Sequence, residues 1–237
     1  MKIGILNTSN DPSRFAKSFP NDGEKFCMLM APARPDWSFG VVHVKDNVFP
    51  DRPEEFDGYV ITGSPASVLE PLDWIARLLD FIRELHARKQ PLVGVCFGHQ
   101  AVALALGGTV EKAAAGWGFG TAVTNYAEHR AWMVPPRRDL TLYASHSDQV
   151  TALPDGAKLL GGNDFCPNAA FEIGTHIMTT QYHPELTAEF MTTLLDLMDR
   201  KDMLPDDVVT RARDQLRWKE DGVLFAEWMV RFLESAA

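Results

Sequence analysis

The chain has 237 residues, 46% of them hydrophobic and 23% charged, which is the balance of an ordinary globular protein long enough to bury one sizeable core. Its 32 acidic against 23 basic side chains leave a formal charge of -9, so no basic face is offered to a phosphate backbone or an anionic lipid surface, and no nucleic-acid or membrane partner is expected. No apolar run approaches the roughly 18–20 residues of a membrane helix, residues 1–6 are too short for a signal sequence, and a cytoplasmic location is expected.

In chain order, Lys2 to Leu6 reads as a short apolar strand that runs into the polar loop Asn7-Thr8-Ser9-Asn10-Asp11-Pro12, with a helix-like stretch beginning near Ser13. Residues 40–44 form a second β-rich run. Residues 58–62 form a third, which ends in the turn Gly63-Ser64-Pro65. Between residues 71 and 89, Leu72, Ile75, Leu78, Leu79, Ile82 and Leu85 recur at helical spacing with charged residues on the other face, predicting an amphipathic helix. Residues 91–95 are almost wholly apolar, like a parallel strand buried on both faces, and a helix follows over residues 100–106. This β and α alternation predicts an α/β fold with an open, mostly parallel sheet and flanking helices.

From residue 109 to 177 short β-prone pieces such as 121–123, 140–143 and 169–173 alternate with Gly, Pro and Asn turns, predicting a smaller, mostly antiparallel β region. Residues 177–180 form one more strand. Beyond Pro184 the pattern is helical over 190–198, 205–218 and 222–233. No repeat or linker divides the chain, so residues 1–185 are expected to form one domain and residues 186–237 its C-terminal helical extension. In that tail Trp218, Phe225, Trp228, Met229 and Phe232 at helical spacing favour packing on their own core over a partner-binding surface.

Cys27, Cys96 and Cys166 are an odd set with no Cys-x-x-Cys spacing, and the scattered His43, His86, His129 and His176 match no metal spacing, so neither a disulfide framework nor a metal or cofactor is expected. Cys96 stands apart. Gly94-Val95-Cys96-Phe97-Gly98-His99-Gln100 sets it between two glycines at a strand-to-helix junction, the device of a nucleophile elbow, where the following helix favours the thiolate. A buried packing cysteine is the alternative.

A thiolate needs a proton-transfer partner. Gln181-Tyr182-His183-Pro184-Glu185 offers His183 at a strand end, with Glu185 two residues on to hold its tautomer and stabilise its charged form. Alone, the same residues would read as a core histidine and a capping glutamate. The oxyanion formed on attack requires backbone N–H donors, and Phe97, after the nucleophile, with the Gly63-Ser64 turn are the candidates, although that turn could equally be a surface β-turn. His99 and His146 are further candidate bases, with His183 preferred.

These three motifs together, a glycine turn with proline, a Gly-x-Cys-x-Gly-His-Gln elbow and a late His-Pro-Glu, resemble the class I glutamine amidotransferases. The likeness covers roughly residues 40–185, and Ser145-His146-Ser147-Asp148-Gln149-Val150 is similar to a stretch of the glutaminase domain of GMP synthase. The resemblance implies a flavodoxin-like sheet, a Cys-His-Glu triad, a γ-glutamyl thioester intermediate and release of ammonia or an amine from a small γ-glutamyl substrate. It also implies substrate contacts from Gln100, Ser145, His146 and Ser147.

Two departures stand out. Gly63-Ser64-Pro65 replaces a Gly-Gly-Pro turn, which keeps the N–H but makes a peptide flip costlier, and Gly118 stands where relatives often carry a glutamate. No ATP-pyrophosphatase signature or Walker loop follows, so an acceptor domain for ammonia is expected on a separate chain. Three functions therefore stand: a free-standing γ-glutamyl hydrolase or peptidase, which the Gly-Ser-Pro turn and helical tail resemble; a glutaminase subunit serving a separate synthetase; and a non-catalytic binding module. Retention of Cys96, His183 and Glu185 argues against the last.

Overall fold

The computed structural model describes residues 1–9 and 13–237; Asn10, Asp11 and Pro12, in the polar loop expected after the first strand, lie outside them. Five strands form the parallel half of the sheet: β1 (Lys2–Leu6), β2 (Ser38–Val42), β3 (Gly58–Ile61), β4 (Leu92–Val95) and β11 (Ile177–Thr180). They lie side by side in the order β2-β1-β3-β4-β11. With β11 as the fifth parallel strand, this is the flavodoxin-like order, and ligands in such sheets bind beyond the carboxyl ends of the strands. β3, β4 and β11 are buried along their whole length, as their continuous apolar runs require.

The remaining strands are inserted between β4 and β11. β6 (Gly118–Tyr126), β7 (Asp139–His146), β9 (Ala157–Gly162) and β10 (Ala170–Ile173) extend the same sheet antiparallel, in the order β11-β10-β9-β6-β7. Most of the expected antiparallel region is therefore a continuation of the main sheet, and among the described residues only β5 (Thr109–Lys112) and β8 (Asp148–Ala152) pair apart from it.

Among the described residues six α-helices accompany the sheet: α1 (Asp22–Met30), α2 (Asp73–Ala87), α3 (Phe97–Ala105), α4 (Ala188–Arg200), α5 (Asp206–Gln215) and α6 (Gly222–Ala236). α2 buries Ile75, Leu78, Ile82 and Leu85 as its spacing predicts, together with Trp74 and Phe81, while Leu72 lies outside as the N-cap. Several expected boundaries move, among them that of the helix expected over 205–218, which ends at Gln215. α3 begins at Phe97 rather than near residue 100, because the elbow glycines let the helix start directly after Cys96. The second strand ends at Val42, since Val44 enters a short 3-10 turn, Val44–Asp46. The helix expected near Ser13 is only the 3-10 turn Ala16–Ser18; the true helix starts at Asp22, where Asn21 and Glu24 form a reciprocal capping box.

In the tail, Phe225, Trp228, Met229 and Phe232 are buried in the main core on α6, as their spacing predicts, whereas Trp218, between α5 and α6, is half exposed. α4 and α5 form a separate apolar cluster with Phe119 and Tyr143 of β6 and β7. No helix among the described residues is long and apolar enough to cross a membrane.

Candidate active site

The carboxyl ends of β1, β3, β4 and β11 deliver Thr8, Gly63, Cys96 and His183 to one region. At β4 the chain turns through Cys96 with φ 50° and ψ -102°, a left-handed conformation that costs a non-glycine residue about 1–3 kcal/mol. Both flanking glycines are required for this turn. A Cβ at Gly94 would lie 2.7 Å from the Gly98 carbonyl oxygen, and one at Gly98 would lie 2.5 Å from the Ile61 carbonyl oxygen. The strained residue is pinned from both sides: the Cys96 N–H donates to Thr180 O at 2.9 Å and the Gly98 N–H to Thr62 O at 3.2 Å.

His183 is fixed by its own N–H, which donates to Tyr143 O of β7 at 2.8 Å. Its Nδ1 is 2.7 Å from Glu185 Oε1, and both side chains are buried. Burial alone would pull the imidazole down. The Glu185 carboxylate and Cys96 more than reverse this, by charge and by side-chain hydrogen bonding, and hold its pKa well above the ordinary value. With Nδ1 engaged by Glu185, Nε2 is the nitrogen available to the sulfur.

The Gly63 backbone packs against both groups: a Cβ there would lie 2.8 Å from His183 Cε1 and 3.7 Å from Cys96 Cβ. Its carbonyl is locked. Thr8 Oγ1 donates to Gly63 O at 2.7 Å, and Thr62 Oγ1 lies 3.0 Å from the same oxygen. In a trans peptide the carbonyl and the next N–H point oppositely, so the Ser64 N–H is directed away from these hydroxyls. Among the described residues neither the Ser64 nor the Phe97 N–H has a protein partner. The side chain that distinguishes this turn is used within it, since Ser64 Oγ donates to Thr8 O at 2.9 Å and accepts from the Ala66 N–H at 3.2 Å.

A cleft of about 820 Å³ opens above Cys96 and is lined by Gly63, Ser64, Gln100, Ser145, His146 and Ser147, among others. The structure thus brings the residues singled out from the sequence together, but not all in the expected state. Gln100 Nε2 is taken up by Asp148 O at 2.7 Å and Gln181 Oε1 at 3.1 Å, so it braces the wall of the cleft. His146 and His99 are buried, and each is pushed down to about 3. Burial is the main cause, with the neighbouring charge of His183 acting on His146 and that of His146 acting on His99. Neither suits a base near neutral pH. At Gly118 a side chain would meet Phe165 at 2.7 Å and His146 at 2.9 Å, so the packing here leaves little room for one.

Sequence patterns alone do not single out Thr8 or Thr62, whereas Asp148, whose Oδ2 accepts from Ser67 Oγ, lies in the 145–150 stretch named from the sequence. The signal of the two threonines is positional: Thr62 follows the parallel strand β3 directly, and Thr8 lies two residues beyond β1. No group of three or more His, Cys, Asp and Glu side chains among the described residues could hold a metal ion.

Residues 38–196 match the family model described as glutamine amidotransferase class-I. The chain is 26% identical over 229 residues to gamma-glutamyl peptidase 3 of Arabidopsis thaliana, covering 93% of this chain and 87% of the relative. It is 31% identical over 153 residues to one subunit of the glutamine-hydrolyzing GMP synthase of Methanosarcina barkeri, covering 62% of this chain and 76% of that one. A crystal structure of a glutamine amidotransferase from Thermotoga maritima shares the fold with a TM-score of 0.75 at 20% identity, covering 99% of this chain and 98% of that chain.

Proposed function

The chain belongs to the class I glutamine amidotransferase family, and from that premise we propose that it is a free-standing cysteine hydrolase of γ-glutamyl amides. The observation that carries this reading is the strained Cys96 beside a His183 whose Nδ1 is bound by Glu185 at 2.7 Å. In this reading the thiol proton passes to His183 Nε2 and the sulfur attacks the γ-carbonyl carbon. The resulting oxyanion is held by the Ser64 and Phe97 N–H groups. Collapse breaks the C–N bond, His183 returns the proton to the leaving nitrogen, and a γ-glutamyl thioester remains on Cys96. Water, deprotonated by His183, then attacks the thioester and releases glutamate, with the proton restored to sulfur.

The test is release of glutamate and of ammonia or amine by the purified chain from L-glutamine and a panel of γ-glutamyl amides and dipeptides, with Cys96→Ala as control. Turnover of any panel member that the variant abolishes supports the reading; turnover that survives in Cys96→Ala would refute it.

A second reading, a glutaminase subunit feeding ammonia to a separate synthetase, is favoured by the likeness to one subunit of a GMP synthase. It is distinguished by a chain that turns over no donor alone although Cys96 is alkylated normally.

A further inference from the structure

We propose that the cleft holds an aromatic subsite for the leaving amine, so that the preferred donor is a γ-glutamyl amide whose amine carries an aromatic or large apolar group. The inference rests on the hydrolase reading and deepens it by naming the class of substrate.

His183 fixes the side from which the leaving group departs, because the nitrogen it protonates must lie against it. The chain that continues from His183 lines the same cleft. Leu186 follows directly, and α4 then presents Phe190 and Leu194 to the same cleft. Opposite α4, Phe15 and Phe19 close on Phe190 as a three-ring cluster, with centroids 5.1 Å apart for Phe15–Phe190, 5.1 Å for Phe19–Phe190 and 5.5 Å for Phe15–Phe19. All three rings line the cleft and none is fully buried, so each keeps part of its surface for a ligand. Lys25 Nζ lies 3.8 Å from the Phe190 centroid and is itself paired with Asp22 at 2.7 Å, which holds that ring in place.

The same cleft also carries polar lining from the turns beyond the sheet, with Ser67, Gln100, Ser145, Ser147, Asp148 and Lys112. Asp148 is buried, and while its Oδ2 takes the Ser67 hydroxyl, its Oδ1 has no protein partner. An amino-acid head group suits this polar lining, which offers hydroxyl and charged side chains to an α-ammonium and α-carboxylate. Ammonia as leaving group would use none of the aromatic wall. A cleft of about 820 Å³ is at the upper end of the range that takes drug-sized ligands, about 300–1,000 Å³, and far exceeds what glutamine needs.

The experiment compares kcat/KM for L-glutamine, γ-glutamyl-alanine and γ-glutamyl-phenethylamide in the wild type, Phe190→Ala and Phe190→Leu. In parallel, calorimetry measures binding of the same compounds to Cys96→Ala with and without Phe190→Ala. The expected result is a preference for the phenethylamide over glutamine of about 10-fold or more. Phe190→Ala should collapse the phenethylamide-to-glutamine ratio by about 10- to 100-fold, with Phe190→Leu intermediate. Tighter binding of the phenethylamide than of glutamine to Cys96→Ala, lost with Phe190→Ala, should accompany it. Turnover of glutamine and phenethylamide with equal efficiency, or an unchanged ratio in Phe190→Ala, would overturn the subsite while leaving the hydrolase standing. Tight, Phe190-dependent binding without turnover would support the subsite and overturn the hydrolase. Absence of both turnover and selective binding would overturn both.

Discussion

Removing the hydroxyls that pin the Gly63 carbonyl should disable the oxyanion hole while leaving the nucleophile intact. Thr8→Val deletes the 2.7 Å donor to Gly63 O, but Thr62 Oγ1, 3.0 Å away, can still serve that oxygen. A net contribution of about 0.5–1.5 kcal/mol for one such bond corresponds to roughly a 2- to 13-fold shift toward a flipped peptide. The single variant should therefore lose up to about tenfold in kcat, and Thr8→Ser should restore it. Thr8→Val combined with Thr62→Val leaves the buried carbonyl with neither hydroxyl. That variant should approach the roughly 10²- to 10³-fold loss of a missing oxyanion donor, about 2.7–4 kcal/mol. The assay pairs steady-state hydrolysis with the rate of Cys96 alkylation by iodoacetamide, because alkylation develops no oxyanion. A fall in kcat with KM and alkylation rate little changed is the expected signature. A double variant that keeps kcat within twofold, or one that loses alkylation in step with hydrolysis, would refute the reasoning.

Gly63→Ala places a Cβ 2.8 Å from His183 Cε1 and should lower kcat at least about 100-fold by displacing the base, a shift visible in the pH profile of kcat/KM. Gly118→Glu would drive a side chain against Phe165 and His146 and should destabilise the protein by about 1–3 kcal/mol in urea titration, by overpacking. His99 and His146, held down to about 3 when folded, bind protons more readily in the unfolded chain, whose histidines titrate near 6.5. Stability should thus fall as pH drops from about 6.5 toward 3, with each imidazole adding about 1.4 kcal/mol per pH unit once its unfolded form is protonated. His183 is raised instead, so its contribution is constant through that window and is lost only as pH rises through its folded value. Urea titrations at pH 5.5 and 4.5 should show His99→Gln with a slope about 1.4 kcal/mol per unit shallower than wild type, and an equal slope would show that this burial is not felt.

The candidate site was legible in the sequence where it is local. Gly94, Cys96 and Gly98 encode the elbow within five residues, and the collisions that a Cβ would meet at both glycines explain why it has to be written with them. His183 and Glu185 are equally local, two residues apart on a chain stiffened by Pro184. What could not be read is long-range. That β11 lies beside β4, with six strands inserted between them in sequence, is decided by packing across the sheet and leaves no mark in either strand's periodicity. The Thr8 hydroxyl reaches Gly63 across 55 positions, and Phe15 and Phe19 meet Phe190 only once α4 has folded over the carboxyl edge. Asn21 and Glu24 did carry a local signal, a capping box, and it places the first helix at Asp22 rather than near Ser13.

The same network bears on whether this chain acts alone. Family membership is compatible with a self-sufficient hydrolase and with a subunit that a synthetase must switch on. A hole switched by a partner needs a peptide whose two orientations lie close in energy, so that docking can tip the balance. Here the Gly63–Ser64 peptide is held by Thr8 Oγ1 and Thr62 Oγ1 on its carbonyl side, while Ser64 Oγ ties the next residue to Thr8 O. All three anchors come from the turns after β1 and β3 of this same chain, and Thr8 and Thr62 are fully buried. Flipping the peptide would strip a buried carbonyl of both hydroxyls, a penalty of about 1–3 kcal/mol that a partner would have to supply merely to inactivate the site. A lock built this way favours an active site formed in the isolated chain.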